Sequence, residues 1–201
     1  MNCTEPPAIN YLDIGFDMLT LWISTGIVAL AEMGDKTQLL ALVLAARYKK
    51  PLPIIAGIFA ATIVNHALSA WLGAAASNFV SPAVLKWAIA LSFFGFAVWV
   101  LIPDKLDDAD NKSPAYGPFI ATCIAFFLAE LGDKTQLATV VLAAQYHPLW
   151  QVIFGTTLGM LIANVPVVYL GAKFTHRLPI TAMHRISSVL FIAMGCWVLL
   201  R

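Results

Sequence analysis

Ala31-Glu32-Met33-Gly34-Asp35-Lys36-Thr37-Gln38-Leu39-Leu40 has a near copy in Ala129-Glu130-Leu131-Gly132-Asp133-Lys134-Thr135-Gln136-Leu137-Ala138, and each sets two acids and a lysine inside a long apolar stretch. The surrounding runs, about 19–46 and 117–144, exceed the roughly 20 residues a helix needs to cross a bilayer. The rest of the chain agrees. Of 201 residues 60% are hydrophobic and only 11% charged, more apolar side chain than a soluble domain of this length could bury. The net charge of +1 gives no basic surface for nucleic acid, so the chemistry must lie in where single charges sit.

Working outward, breaks at proline, glycine and charge clusters divide the chain into six apolar stretches: 19–46, 54–77, 83–102, 117–144, 150–172 and 182–200. The expected fold class is an all-α integral membrane protein of six transmembrane helices. Cys3, Cys123 and Cys196 are scattered and read as packing residues, with neither a disulfide framework nor a metal motif. The N-terminal segment carries Glu5, Asp13 and Asp17 and no basic run, so the first stretch is expected to stay rather than be cleaved.

A shift of 98 residues superposes 30–48 on 128–146 with 14 identities in 19 positions, and continues without a gap through Gly57/Gly155, Leu72/Leu170 and Trp99/Trp197. This is a duplication. It divides the chain into a first three-helix repeat, 1–103, an acidic linker, 104–116, and a second three-helix repeat, 117–201. Three is odd, so the second copy must cross the membrane in the opposite sense, as two inverted repeats. Outside the motifs, Arg47, Lys49, Lys50, Lys105, Lys112, Lys173, Arg177 and Arg185 follow the odd-numbered stretches, against Lys86 and Arg201 on the other side. The positive-inside rule then puts the linker in the cytoplasm and both termini on the outer, periplasmic side.

Glu32, Asp35, Glu130 and Asp133 fall near the bilayer midplane, where each charge costs about 2.5–3.5 kcal/mol on insertion scales. They must face inward and find partners. On a continuous helix, Glu32, Asp35 and Lys36 share one face with Gln38 a turn along; Glu130, Asp133, Lys134 and Gln136 repeat the pattern. Inverted repeats bring such motifs together at mid-depth, where transporters of this kind hold their substrates. Four carboxylates and two ammonium groups leave a formal charge of −2, which one divalent cation neutralises. The expected metal ligands are therefore Glu32, Asp35, Glu130, Asp133, Gln38 and Gln136. Hard oxygens suit Ca²⁺, Mn²⁺ or Mg²⁺. When the ion leaves, the carboxylates repel one another and some take up protons, a physical basis for metal/proton exchange. Lys36 and Lys134 are expected to act as gating ion-pair partners, one toward each exit, with a static structural pair as the alternative.

Gly34 and Gly132 are costly inside a helix, by about 1 kcal/mol relative to alanine, so they signal a helix break or a close backbone approach. Asn65 and Asn164 lie near the middle of the second and fifth stretches and are further candidate ligands, or else helix-linking hydrogen-bonders. His66 reads as a packing group before it reads as a proton carrier. Thr37 and Thr135 are expected to bond back to their own helices, and Gly155-x-x-x-Gly159 to pack a helix.

Glu32-Met33-Gly34-Asp35-Lys36-Thr37 and Glu130-Leu131-Gly132-Asp133-Lys134-Thr135 resemble the paired signature of the manganese/calcium–proton exchangers, a family of bacterial manganese exporters and the eukaryotic Golgi cation exchanger. The resemblance covers essentially the whole chain with no departure in either motif. It implies efflux of Mn²⁺ or Ca²⁺ against protons, the motif carboxylates as ligands, no resident cofactor, and a bacterial inner membrane as the address. The competing readings are an exporter of amino acids or other small cations, a cation channel, and a membrane enzyme using paired carboxylates. No His-Glu-x-x-His or Gly-x-Ser-x-Gly supports the enzyme.

Overall fold

A computed structural model describes residues 13–102, 117–170 and 180–200. The linker 104–116, Cys3, Lys173, Arg177 and Arg201 lie outside them. The described residues form eight helices and no strand: α1 Asp13–Glu32, α2 Lys36–Tyr48, α3 Pro51–Phe79, α4 Pro82–Trp99, α5 Pro118–Glu130, α6 Lys134–Gln145, α7 Leu149–Leu170 and α8 Ile180–Leu200.

Six helical stretches were expected, with Gly34 and Gly132 marking a break or a close backbone approach, and two of the stretches are broken there. The stretches 19–46 and 117–144 each divide at the motif, into α1 and α2 and into α5 and α6. The cause is local. Gly34 and Gly132 adopt φ of 85° and 75°, left-handed values that close a helix and that only glycine reaches without steric cost.

The duplication is visible element by element. Helices α5, α6, α7 and α8 begin 98 residues after, or end 98 residues after, the matching boundary in the first half: Glu32 and Glu130 close a helix, Lys36 and Lys134 open one, and so do Pro51 and Leu149. The halves interlock, with α1 on α7 and α5 on α3. A Cβ built on Gly57 would stand 2.7 Å from Thr122 Cβ and 2.8 Å from the Phe119 carbonyl. Its counterpart Gly155 faces Ser24 Cβ at 2.9 Å and the Leu21 carbonyl at 2.6 Å. Each of those partners is again 98 residues from its twin, so one close backbone contact is used twice. Gly159 extends it onto Thr25 and Ala29, giving the expected helix-packing role of Gly155-x-x-x-Gly159. On the far side, α4 meets α8 through Phe93, Phe96 and Phe191.

The polarity is inside out. Glu32, Asp35, Glu130, Asp133, Lys134, Asn65, His66 and Asn164 are buried, whereas Trp22, Trp71, Phe79, Trp87 and Trp150 are more than half exposed. An apolar exterior of this extent marks a surface that meets lipid or another apolar partner. By length and composition α3 and α7 could each cross a membrane, and Met18–Glu32, Ala83–Trp99, Pro118–Glu130 and Arg185–Leu200 are shorter apolar helices.

Candidate metal centre

Both helix breaks are built the same way. Asp35 and Asp133 have extended backbones and open α2 and α6 as their N-caps, yet neither side chain caps its helix. The capping is done from inside. Gln38 and Gln136, three residues into the new helix, reach back so that Oε1 accepts the N–H of Gly34 at 2.9 Å and of Gly132 at 2.6 Å, a variant of the capping box in which the third helical residue bonds back across the start. The Asp35 and Asp133 amides return to the carbonyls of Glu32 and Glu130, each at 3.1 Å. The aspartates are thereby relieved of capping and can turn their carboxylates into the core.

One face of a continuous helix was expected to carry Glu32, Asp35 and Lys36; the break replaces that face with a corner. Glu32 and Glu130 end one helix, and Asp35 and Asp133 stand before the next. Thr37 and Thr135 were expected to bond back to their own helices. They instead reach across the corner: Thr37 Oγ1 donates to Glu32 Oε2 at 2.5 Å and Thr135 Oγ1 to Glu130 Oε2 at 3.0 Å. Nothing in the sequence marks these threonines except their repetition within the motif, because the corner they span is absent from a straight helix.

The two corners meet. Lys134 Nζ lies 2.9 Å from Asp35 Oδ1 and Lys36 Nζ lies 3.6 Å from Asp133 Oδ1, so each lysine pairs with the other motif's aspartate. The environments differ: the Lys134 side chain is 3% exposed and that of Lys36 22%. Glu32, Asp35 and Asp133 each offer one oxygen, all within 4.8 Å of one another. Oxygens coordinating a Ca²⁺-sized ion at about 2.3–2.6 Å can lie up to about 4.6–5.2 Å apart, so the three fit a single ion. Glu130 is not one of the three, though it too is fully buried, and Oε1 of both glutamates has no hydrogen-bond partner.

The remaining candidates lie around this cluster. Gln38 also donates through Nε2 to the Ala163 carbonyl of α7 at 2.8 Å, fastening the first corner to the second repeat. Asn65 Nδ2 donates to the Phe127 carbonyl of α5 at 3.2 Å, the helix-linking option. Asn164 Nδ2 bonds within α7, to the Met160 carbonyl at 3.1 Å and its Sδ at 3.0 Å. Both asparagine Oδ1 atoms are buried without a partner. His66 is buried and neither ring nitrogen has a partner, so it is not a satisfied packing group.

The family model described as divalent cation/proton antiporter GDT1 matches residues 20–108 and 118–201. The chain belongs to this antiporter family. Among its relatives, a "Putative manganese exporter" of Vibrio cholerae is 55% identical over 179 residues, 89% of each chain. GDT1-like protein 5 of Arabidopsis thaliana is 30% identical over 210 residues, covering 86% of this chain and 91% of the plant protein. GDT1-like protein 5 of Oryza sativa is 28% identical over 212 residues. No solved structure matches the chain. Membership makes it a membrane antiporter of divalent cations and protons, a transporter.

Proposed function

We propose that the chain exports a divalent cation, Mn²⁺ or Ca²⁺, from the cytoplasm in exchange for protons, holding the ion where the two corners meet. The observation that carries this reading is the convergence of Glu32, Asp35 and Asp133 oxygens within 4.8 Å in a fully buried place. Such a cluster of acids repels itself unless cations or protons occupy it. Occupation by one excludes the other, which is the requirement for exchange. Asp35, Asp133 and Glu32 are the first ligands, with Glu130 joining as the repeats move. Gln38 and Gln136 hold the corners, and the partnerless Oδ1 atoms of Asn65 and Asn164 are available to an ion shifted toward either repeat. The backbone carbonyls at the breaks can also contribute.

In this reading the eight helices make six membrane crossings, α1 with α2 and α5 with α6 each forming one broken span. The halves 1–103 and 117–201 are inverted repeats that rock about the midplane, joined by the cytoplasmic linker, with both termini periplasmic in a bacterial inner membrane. Lys36 and Lys134 then act as tethered cations that hold the aspartates while one side is shut. Mn²⁺ is favoured over Ca²⁺ as cargo by the similarity to the Vibrio cholerae manganese exporter.

Purified protein in liposomes with an internal metal-sensitive dye tests the proposal. Mn²⁺ or Ca²⁺ flux should saturate and accelerate when protons are concentrated on the side toward which metal moves. Flux indifferent to the pH gradient, or linear in metal, would replace the exchanger with a channel. Glu32→Gln and Glu130→Gln should each abolish flux while the protein still inserts.

A further inference from the structure

Helix α3 packs on α6 and carries Thr62, His66, Ser69 and Gly73, spaced four, three and four apart, a single helical stripe. Gly73 fixes its direction, because a Cβ there would collide with the Val140 carbonyl of α6. The three polar residues are buried. Ser69 Oγ bonds back to the Asn65 carbonyl, but Thr62 Oγ1 and both His66 nitrogens have no hydrogen-bond partner. Helix α6 carries Thr139, also buried, whose Oγ1 donates to the Thr135 carbonyl of its own helix at 2.8 Å.

The duplication supplies an internal control. The same interface exists a second time, between α7 and α2. There the 98-residue shift replaces Thr62, His66, Ser69 and Thr139 by Met160, Asn164, Val167 and Ala41, all buried. Helix packing at these positions is thus achieved with three apolar residues of four, so packing alone does not call for the polar set. A buried polar group without a partner costs about 1–3 kcal/mol, a burden that Thr62 and both His66 nitrogens carry, that Met160 avoids and that Asn164 keeps at one oxygen. Water or an ion visiting the stripe would remove that cost.

We propose that the α3–α6 interface is a hydrated lane by which water and the permeating ions reach the carboxylate cluster from one face of the membrane, and that the α7–α2 interface is its dry counterpart, an apolar seal of the kind that gates by dewetting. This rests on the transport reading above. In that topology α3 starts at the cytoplasmic Arg47–Lys50 loop, so the lane, running from His66 past Ser69, leads to the outer face. It needs only the hydrogen-bonding capacity of these groups.

The test is thiol accessibility in intact cells and inverted vesicles, in a background with Cys3, Cys123 and Cys196 replaced by alanine. Ser69→Cys and Thr139→Cys should react with a membrane-impermeant methanethiosulfonate from outside about tenfold faster than Val167→Cys and Ala41→Cys from either face, a barrier difference of ~1.4 kcal/mol. Equal rates, or faster reaction at 167 and 41, overturn the lane. If a cysteine variant fails to insert, radiolytic footprinting of the unaltered protein decides: water in the lane modifies His66 and spares Met160, and the reverse pattern refutes it. Labelling does not depend on which ion moves. A reactive lane without proton-coupled metal flux would remove the exchanger and keep the lane; flux with a silent lane would remove the lane alone.

Discussion

Lys134 Nζ sits 2.9 Å from Oδ1 of Asp35, a residue of the other repeat, and both side chains are almost wholly withdrawn from solvent. The twin contact, Lys36 to Asp133, is longer at 3.6 Å and its lysine is 22% exposed. Two motifs of identical chemistry thus make unequal bonds. In an exchanger that inequality describes one conformation, since the pseudo-symmetric arrangement with the bond lengths reversed uses the same residues.

Lys134→Met should therefore destabilise the protein more than Lys36→Met. Removing one partner of a buried pair strands the other charge, at about 3–5 kcal/mol, whereas a part-exposed pair gives back little. Thermal unfolding in detergent should show the larger fall in Tm for Lys134→Met. The double variant Lys134→Met/Asp35→Asn should recover most of that fall while leaving metal flux absent, because a neutral pair packs but does not exchange. Equal losses for the two lysine variants would rule out the asymmetry.

Much of the site was legible in the sequence because repetition and membrane depth act together: acids at the centre of apolar runs are tolerated only with partners, and a second copy supplies them. The 98-residue shift therefore located Glu32, Asp35, Glu130 and Asp133, and the candidate role of Gly34 and Gly132 as breaks. What it could not show is what the breaks do. Thr37 and Thr135 read as back-bonding residues on a straight helix, and Gln38 and Gln136 as ligands. A left-handed glycine displaces the following residues so that threonine reaches glutamate and glutamine reaches the glycine N–H. Periodicity carries no information across such a corner. Nor does sequence similarity reveal where the halves differ in bonding, as with His66, whose ring nitrogens have no hydrogen-bond partner, and Asn164, which bonds to Met160.

Gly132→Ala tests the corner itself. A Cβ there meets nothing within 4 Å, so no clash confuses the result; the cost is that of φ +75° alone, about 1–2 kcal/mol for a residue with a side chain in left-handed backbone. Gly132→Asn should cost less, since asparagine visits this region several-fold more readily. The expected order of Tm is glycine, asparagine, alanine, with metal flux following the same order. Alanine unfolding at the wild-type temperature would mean that the break is not required to be left-handed.

Gly57→Val and Gly155→Val should both prevent assembly, because a Cβ at either position falls within 2.8 Å of a carbonyl oxygen on the opposing helix. Neither contact is made to a flexible side-chain tip that could turn away. Overpacking of a rigid interface costs about 1–3 kcal/mol or more, and here it separates α3 from α5 or α1 from α7. Size-exclusion profiles in mild detergent should show aggregation for both, and Gly95→Val, where nothing lies within 4 Å of the added Cβ, should remain monodisperse.

Thr37 and Thr135 provide the sharpest distinction between a structural and a transport role. Each hydroxyl donates to Oε2 of a glutamate, at 2.5 Å and 3.0 Å, while Oε1 has no hydrogen-bond partner. The hydroxyl holds the carboxylate at a fixed angle at the corner and leaves Oε1 without a hydrogen bond. Valine keeps the shape and removes the donor. A hydrogen bond to a charged acceptor contributes about 1.5–3 kcal/mol, so Thr37→Val should weaken metal transport by roughly ten- to hundredfold, and Thr37→Ser, which restores the donor, should recover most of it. The shorter bond predicts the larger loss at Thr37 than at Thr135. Flux measured over a range of metal concentrations separates the causes: a misoriented ligand raises the half-saturating concentration. A fold defect lowers the amount of active protein and leaves that concentration unchanged. If valine at either position alters neither quantity, the threonines serve the corner and not the ion.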